Sequence, residues 1–436
     1  MGDTVLICLI PAISHFYPTT LLVRKLNQLG YNAIYCGFPN TKKVVEEAGF
    51  KFIVLSSASD EKIRLLRRSG QVRQAARQQK ALSEEIKDII RSHRVRLMVF
   101  DIARFELYFL PALELQIPAI SFWTLSGSTH ISRSIPPNSS GMIPKASGLQ
   151  IPPLFLWMRR YVRREWSKPS VLLSKFFYPY PQLRKVARQR KLRWRYNIYG
   201  PYLDNPKVIL GPSHFEFPMT TNDDTIYLGL CIDEHRSTRK PVIDTIETSK
   251  PLIYCTLGTM SKRYPSAELF YRSLIDMFRA NPRWQGVIHI GNFDFDHPLP
   301  NIPENVLLVD SCPQLEIIKM SSLVLCHGGY GTIKECIYFG VPMIVFPCIF
   351  DQRGNAARVS FHEIGIACNI KDVETRRLEQ TVEKMLTTDL YRENIERMRQ
   401  RALSEDHLRE LFANLLIPDL INCQKQQMAA SSTGSN

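Results

Sequence analysis

The chain has 436 residues, is 44% hydrophobic and 22% charged, and carries a formal net charge of +15. That composition is ordinary for a globular protein, and the length suits two or three domains with a large core that needs no covalent staples. Its ten cysteines contain no C-x-x-C pair, which argues against a zinc or redox motif; they read as small buried hydrophobes of a reducing cytoplasm.

The N-terminal run Val5–Ile10 is apolar but lacks a preceding basic segment, so it reads as a first buried strand, not a signal peptide. A helical pattern follows over Pro18–Leu29, with Leu21, Leu22, Leu26 and Leu29 on one face and Pro18 in the first turn. Strands are expected at Asn32–Cys36, Phe52–Leu55, Leu97–Phe100 and Ala119–Phe122. Between them lie a short helix over Thr41–Ala48, one long basic helix over Asp60–Ser92, and a helix over Arg104–Leu115. The most apolar longer segment, Leu107–Leu125, is interrupted by Pro111, Glu114, Gln116 and Pro118 and does not suit a membrane-spanning helix. Strand–helix alternation of this kind predicts a parallel, doubly wound α/β sheet.

Residues 126–200 break the rhythm and read as an insertion of loops and amphipathic helices. Alternation resumes with strands at Lys207–Leu210 and Thr225–Leu228. The polar stretch 236–250 reads as a linker between an N-terminal domain, 1–235, and a second α/β domain, 251–400. In the latter, strands are expected at Leu252–Thr256, Gly286–Ile290, Val306–Val309, Leu323–Cys326 and Met343–Phe346, with helices near Ala267–Arg279, Gln314–Lys319 and Thr332–Phe339. A last helical stretch runs over Thr375–Leu416, with residues 401–420 expected to be helical and 421–436 a disordered tail.

One segment concentrates unusual chemistry: LCHGGYGTIKECIYFGVPMIVFPCIFDQ, Leu325–Gln352. A strand, a Gly-rich turn (His327, Gly328, Gly329, Gly331) and a helix present free N–H groups and the positive helix end at the sheet's C-terminal edge, where an anion such as a diphosphate is the natural guest. Thr332 adds a hydroxyl and Glu335 an acceptor suited to ribose. The pattern is neither a P-loop nor a plain G-x-G-x-x-G.

HGGYGTIKECIYFGVPMIVFPCIFDQ resembles the signature loop of the UDP-glycosyltransferase superfamily of GT-B type, which includes plant secondary-product, vertebrate glucuronosyl, and bacterial macrolide and carotenoid enzymes. The match is ungapped through His327, Glu335, Gly340–Pro342 and Asp351–Gln352, and Asn355 also fits. The resemblance implies two Rossmann-like domains facing a cleft, with a C-terminal helix returning to the first. It implies that His327 and Thr332 contact the diphosphate, Glu335 the ribose, and Asp351 and Gln352 the donor sugar, with Tyr330 as the motif's aromatic near that sugar. CTLGT (Cys255–Thr259) resembles the family's phosphate-proximal turn, and SCPQL (Ser311–Leu315, including Gln314) the segment framing the base. Ser311 stands where plant relatives have a base-stacking Trp, which leaves uridine against thymidine open.

PAISHFYPTTLL (Pro11–Leu22) matches the family's first loop and puts His15 at the position of the catalytic base. FDIARFELYFLPALELQIPAISFWT (Phe100–Thr124) matches the segment whose acid, Asp101, orients that base; Thr124 falls near the donor sugar. The expected chemistry is a single inverting displacement, with His15 removing the acceptor proton. The resemblance implies no metal and no cofactor beyond the nucleotide-sugar co-substrate; Asp294 and Asp296 form the one Asp-x-Asp and read as a solvated loop. The expected reaction moves a hexose, glucose from UDP-glucose in the first instance, to a lipophilic hydroxyl acceptor such as a carotenoid or sterol. The alternative acceptor is a membrane glycolipid precursor, with another UDP- or dTDP-sugar as donor.

Residues 141–200 hold fourteen Lys or Arg against a single acid, Glu165, interleaved with Trp and Tyr. They read either as a solvated charged face or as a surface for anionic membrane, with the protein cytoplasmic or peripheral on the cytoplasmic membrane face. A nucleic-acid module is the rival from another class; no RNP, KH or zinc-finger signature supports it, and no nucleic-acid partner is expected.

Overall fold

The computed structural model describes residues 3–144, 152–166, 173, 175–218, 225–236, 246–299 and 301–405. In chain order the first-half strands are β1 (Thr4–Cys8), β2 (Asn32–Gly37), β3 (Phe52–Val54), β4 (Val95–Asp101), β5 (Ala119–Trp123), β6 (Trp194–Asn197), β7 (Gly200–Leu203), β8 (Lys207–Ile209) and β9 (Thr225–Tyr227). Seven of them form a sheet in the order β3-β2-β1-β4-β5-β8-β9, and β6 and β7 pair as a separate antiparallel hairpin. The second sheet, β12-β11-β10-β13-β14-β15, uses β10 (Leu252–Thr256), β11 (Gln285–His289), β12 (Val306–Val309), β13 (Leu323–Cys326), β14 (Met343–Val345) and β15 (Gly365–Ala367). Every pairing recorded in the two large sheets is parallel.

The reason lies in the strand sequences. TVLIC and LIYCT are buried at every position, so each must be covered by helices on both faces, as in doubly wound sheets. The order of both sheets reverses beside the first strand. That places the loops after β1 and β4, and after β10 and β13, at one C-terminal edge of their sheet, where ligands bind.

Several boundaries differ from the sequence reading. The first helix runs Ile13–Gln28, so His15 lies in its first turn and not in a loop, and Pro18 sits inside it. The expected long helix is two, Asp60–Arg68 and Val72–Ser92, separated at Gly70, whose φ of +80° takes the chain out of the helical region. The first of these is well terminated: the Ser59 side chain accepts from the Lys62 N–H, with Asp60 and Glu61 in the first turn and Arg67 and Arg68 in the last. The last stretch is also two helices, Thr375–Thr387 and Asp389–Ser404, and a helix over Gln352–Phe361 leads into β15, an element the periodicity did not reveal.

In the insertion, the helices Pro153–Trp166 and Tyr180–Gln189 and the β6–β7 hairpin are described. Trp157 docks the former: it is 1% exposed and its indole N–H donates to the Ile135 carbonyl at 2.8 Å. The helix Asp389–Ser404 ends against the first half of the chain. Glu405 accepts from the Ser213 N–H and hydroxyl and from the His214 N–H at 2.8, 2.9 and 3.2 Å. The remainder of the expected 401–420 helix, the tail 421–436 and linker residues 237–245 lie outside the described residues. The nine described cysteines are free thiols, six of them buried.

Candidate active site

Parallel pairing of β1 with β4, in which Cys8 sits opposite Phe100, brings the turn after β1 beside the end of β4. Asp101 closes β4 and caps the 3-10 turn Ile102–Arg104, its Oδ1 accepting from the Ala103 N–H at 2.8 Å. Its other oxygen lies 2.6 Å from His15 Nδ1. The carboxylate side chain is 2% exposed and the imidazole 16%. The cap therefore clamps the acid, and the acid holds the ring with Nδ1 protonated, which leaves the lone pair on Nε2. Burial lowers the His15 pKa, but the charge and hydrogen bond of Asp101, together with the Asp351 charge, outweigh it and hold the net value above the ordinary 6.5. Thr124, expected at the donor sugar, has its hydroxyl 3.0 Å from the same Nδ1 and so sits beside the His15–Asp101 pair.

Across the opening, β10 and β13 bring Gly258 and His327 together, with Thr256 opposite Cys326. The His327 ring lies against Gly258, at φ +70°, and Gly329; a β-carbon at either position would overlap it. Burial pushes its pKa down to about 4, so the ring is neutral near pH 7 and can offer a single N–H. The helix Tyr330–Phe339 starts here. A β-carbon on Gly331 would meet no atom within 4 Å, so the helix borders open space at Gly331, in its first turn, and Gly328, at φ +82°, shapes the turn. Thr259 lies exposed in the 3-10 turn Gly258–Arg263 at the same edge.

Glu335, expected to hold ribose, is 5% exposed. One of its oxygens accepts from Arg236 at 2.9 Å and the other from the Gln314 side-chain amide, and the Gln314 carbonyl oxygen accepts from the Tyr254 hydroxyl at 3.1 Å. The Arg236 guanidinium also lies 4.5 Å from the centroid of the Tyr17 ring on the first helix. A ribose reaching Glu335 has to share or displace that arginine, which the sequence reading left in the linker. Ser311 is exposed and brings no ring; the aromatic group nearby is His289 at the end of β11, whose Nε2 lies 3.2 Å from the Asp310 carbonyl oxygen.

Two expected sugar contacts are corrected. Tyr330 is 3% exposed and stacks on Phe215 with centroids 5.7 Å apart, its hydroxyl against Gly211. It packs the two halves of the chain together instead of facing the sugar, because helical phase turns the first residue of that helix toward residues 211–215 while Gly331 faces the opening. The Gln352 amide is committed as well: its oxygen accepts from the Cys348 and Ile349 N–H groups, both at 2.8 Å, and its nitrogen donates to the Tyr264 hydroxyl at 3.0 Å. It shapes the 348–352 loop. Asp351 stays at the opening. It accepts from Asn355 at 2.8 Å, and burial raises its pKa.

The two sheet edges meet through contacts that motif reading missed. The Ser126 hydroxyl donates to Asn355 Oδ1 at 2.7 Å, and Asn355 Nδ2 donates to the Gly328 carbonyl at 2.9 Å. Behind them, Arg358 and Glu216 form a buried ion pair at 2.8 Å. A signal for both existed: Gln352, Asn355 and Arg358 recur at intervals of three, which puts them on one face of a helix. Asp294 is paired with Lys262 at 2.6 Å, and the described residues hold no group of three or more His, Cys, Asp or Glu placed to bind a metal ion.

Two parallel Rossmann-like sheets, with a His–Asp pair at one C-terminal edge and a Gly-rich helix start at the other, define a GT-B architecture. Residues 287–417 match the family model for the C-terminal domain of erythromycin biosynthesis protein CIII-like proteins. The NDP-glycosyltransferase YjiC of Bacillus subtilis is 22% identical over 86% of each chain. Demethyllactenocin mycarosyltransferase of Streptomyces fradiae is 27% identical over 44% of this chain and 41% of its own. Among solved structures, the kitacinnamycin glycotransferase superposes with a TM-score of 0.72 at 18% identity, covering 96% of this chain and all of that one. The calicheamicin glycosyltransferase CalG4 gives 0.67 at 20% identity over 93% and 95%. The chain therefore has the GT-B fold and is similar in sequence to nucleotide-sugar glycosyltransferases.

Proposed function

We propose that this glycosyltransferase moves a hexose from a nucleotide sugar, UDP-glucose in the first instance, to a hydroxyl of a lipophilic small molecule by one inverting displacement without a metal. The observation that carries the reading is the His15–Asp101 pair, 2.6 Å apart, at the C-terminal edge of the first sheet, with the Gly-rich helix start at that of the second. Nε2 takes the acceptor's proton as its oxygen bonds to the anomeric carbon. The bond from that carbon to the diphosphate breaks, and the leaving charge is met by His327 and the N–H groups of Gly331 and Thr332. Relatives named for demethyllactenocin and oleandomycin support a small-molecule acceptor. The test is a thermal-shift screen over UDP- and dTDP-sugars, followed by transfer in excess chelator with the product anomer read by NMR. A glucose donor should raise Tm most, and transfer should survive chelation with inverted configuration. No stabilisation by any nucleotide sugar would end this reading, and a larger shift with a dTDP-sugar would replace the donor.

A second observation bears on where the enzyme works. The helix Pro153–Trp166 buries Trp157 yet leaves Phe155, Met158 and Val162 at 55%, 58% and 50% exposure, at the i, i+3, i+7 spacing of one face, with exposed Arg159 and Arg163 beside them. Apolar groups ringed by arginine suit an anionic lipid surface. The protein should sediment with phosphatidylserine vesicles and not with neutral ones, and equal recovery would rule the surface out.

A further inference from the structure

A cleft of about 570 Å³ opens where the insertion meets the loop before Asp351, and three of its seven lining residues are arginines: Arg163, Arg263 and Arg353. They come from three separate elements: the helix Pro153–Trp166, the 3-10 turn Gly258–Arg263 and the helix Gln352–Phe361. Among the described residues none of the three makes an ion pair, and the lining contains no carboxylate. Asp294, near the second of these elements in the fold, is already paired with Lys262. All three are solvent-exposed, so their mutual repulsion is partly screened, and a bound anion would remove what is left of it.

The remaining lining adds an apolar side. Phe350 is 63% exposed and holds φ at +55°, a strained conformation for an aromatic residue, next to Ile349. Backbone strain of this kind clusters at binding sites and switch regions, although five other described residues share a similar φ. Ser139 is fixed in place by Arg160, which donates to its hydroxyl at 2.6 Å, and Gly141 packs on Arg353, where a β-carbon would lie 3.3 Å from that of the arginine. The cleft is thus built from both halves of the chain. It begins one residue before Asp351, whose charge acts on His15.

We infer that this cleft is a subsite for the acceptor, and that it selects lipophilic acceptors carrying a carboxylate or phosphate, with the apolar body on Phe350 and Ile349 and the anionic group among the three arginines. The inference rests on the glycosyltransferase reading for the word acceptor; the anion preference itself does not depend on it. Assignment to the acceptor, and not to the donor sugar, follows from Ser139 and Arg163, which belong to the half of the chain that carries the base.

The test is equilibrium binding of 4-hydroxycinnamate and of its neutral methyl ester to the full chain, with and without saturating UDP. Exposed ion pairs contribute two- to fivefold each, so the acid should bind about tenfold more tightly than the ester at low salt. Arg163→Gln with Arg353→Gln should bring the ratio close to one, while the corresponding lysine variants retain most of it. Equal affinity in the unaltered protein, no saturable binding of the acid, or an unchanged ratio in the glutamine variant would overturn the inference. So would a fall in the affinity for UDP-glucuronate relative to UDP-glucose in that variant with the acid–ester ratio intact, since the arginines would then serve an anionic donor. Stabilisation by UDP is read in the same samples. Its absence strikes the enzymatic reading alone, because the acid–ester ratio is measured without donor as well.

Discussion

His15→Ala should lower the rate of sugar transfer by about 10²–10⁴-fold, the range for loss of a positioned general base, while leaving the thermal shift given by the nucleotide sugar unchanged. The split follows from geometry: His15 sits at the edge of the first sheet, and the Gly-rich helix start belongs to the second. The pH profile carries a further signature. Burial opposes protonation of His15, but Asp101 and Asp351 prevail and hold its pKa above 6.5. Only the neutral ring accepts a proton, so kcat/KM should rise with pH through that raised value and then level. Asp101→Asn removes the charge, so the limb should move to lower pH while the plateau falls, since the amide no longer enforces the tautomer. The same pair stabilises the fold in the opposite sense. Its contribution is complete below the unfolded value near 6.5 and is lost as pH rises through the folded pKa. A limb that stays in place in Asp101→Asn would separate His15 from Asp101 functionally.

The second large effect is on stability. Arg358 and Glu216 are 1% and 4% exposed and pair at 2.8 Å. Arg358 also donates to the Gly354 carbonyl at 3.1 Å and lies 4.4 Å from the centroid of the Phe217 ring, and Glu216 accepts from the Gly127 N–H at 2.5 Å. Glu216→Ala strands a buried guanidinium and a backbone donor together and should cost about 3–5 kcal/mol. The double change Glu216→Leu with Arg358→Met leaves no unpaired charge and should restore much of that loss. Urea denaturation followed separately by fluorescence and circular dichroism checks both, because a chain with two sheets need not unfold in one step. A single variant no less stable than the double would show the pair to be unimportant. The pair ties residue 216, which follows β8, to the helix after Asp351, so Glu216→Ala should also expose the junction to protease.

Much of the architecture is legible in the chain. Runs such as TVLIC and LIYCT, short, apolar and rich in β-branched residues, suit strands buried on both faces, and their alternation with amphipathic helices leads to two parallel sheets. The residues around His15, Asp101 and His327 were identifiable because short motifs carry them, and the structure brings His15 and Asp101 within hydrogen-bonding distance. Side-chain direction was not legible. Tyr330 and Gln352 sit inside the same motif as His327 and Asp351, yet one packs on Phe215 and the other closes its own loop. A motif fixes spacing, whereas the direction of a side chain depends on helical phase and on what lies across the interface.

By itself, then, the sequence determined the strand order's raw material and the Gly-rich helix start, because each depends on contiguous residues obeying local rules. Only the tertiary structure decided that Arg236 bonds to Glu335, that Asn355 joins Ser126 to Gly328, and that Arg163, Arg263 and Arg353 converge on one cleft. Those residues are separated by tens to hundreds of positions, and no local periodicity encodes a meeting between them. Their encounter is set by how the two sheets dock, which is a property of packing across the whole chain.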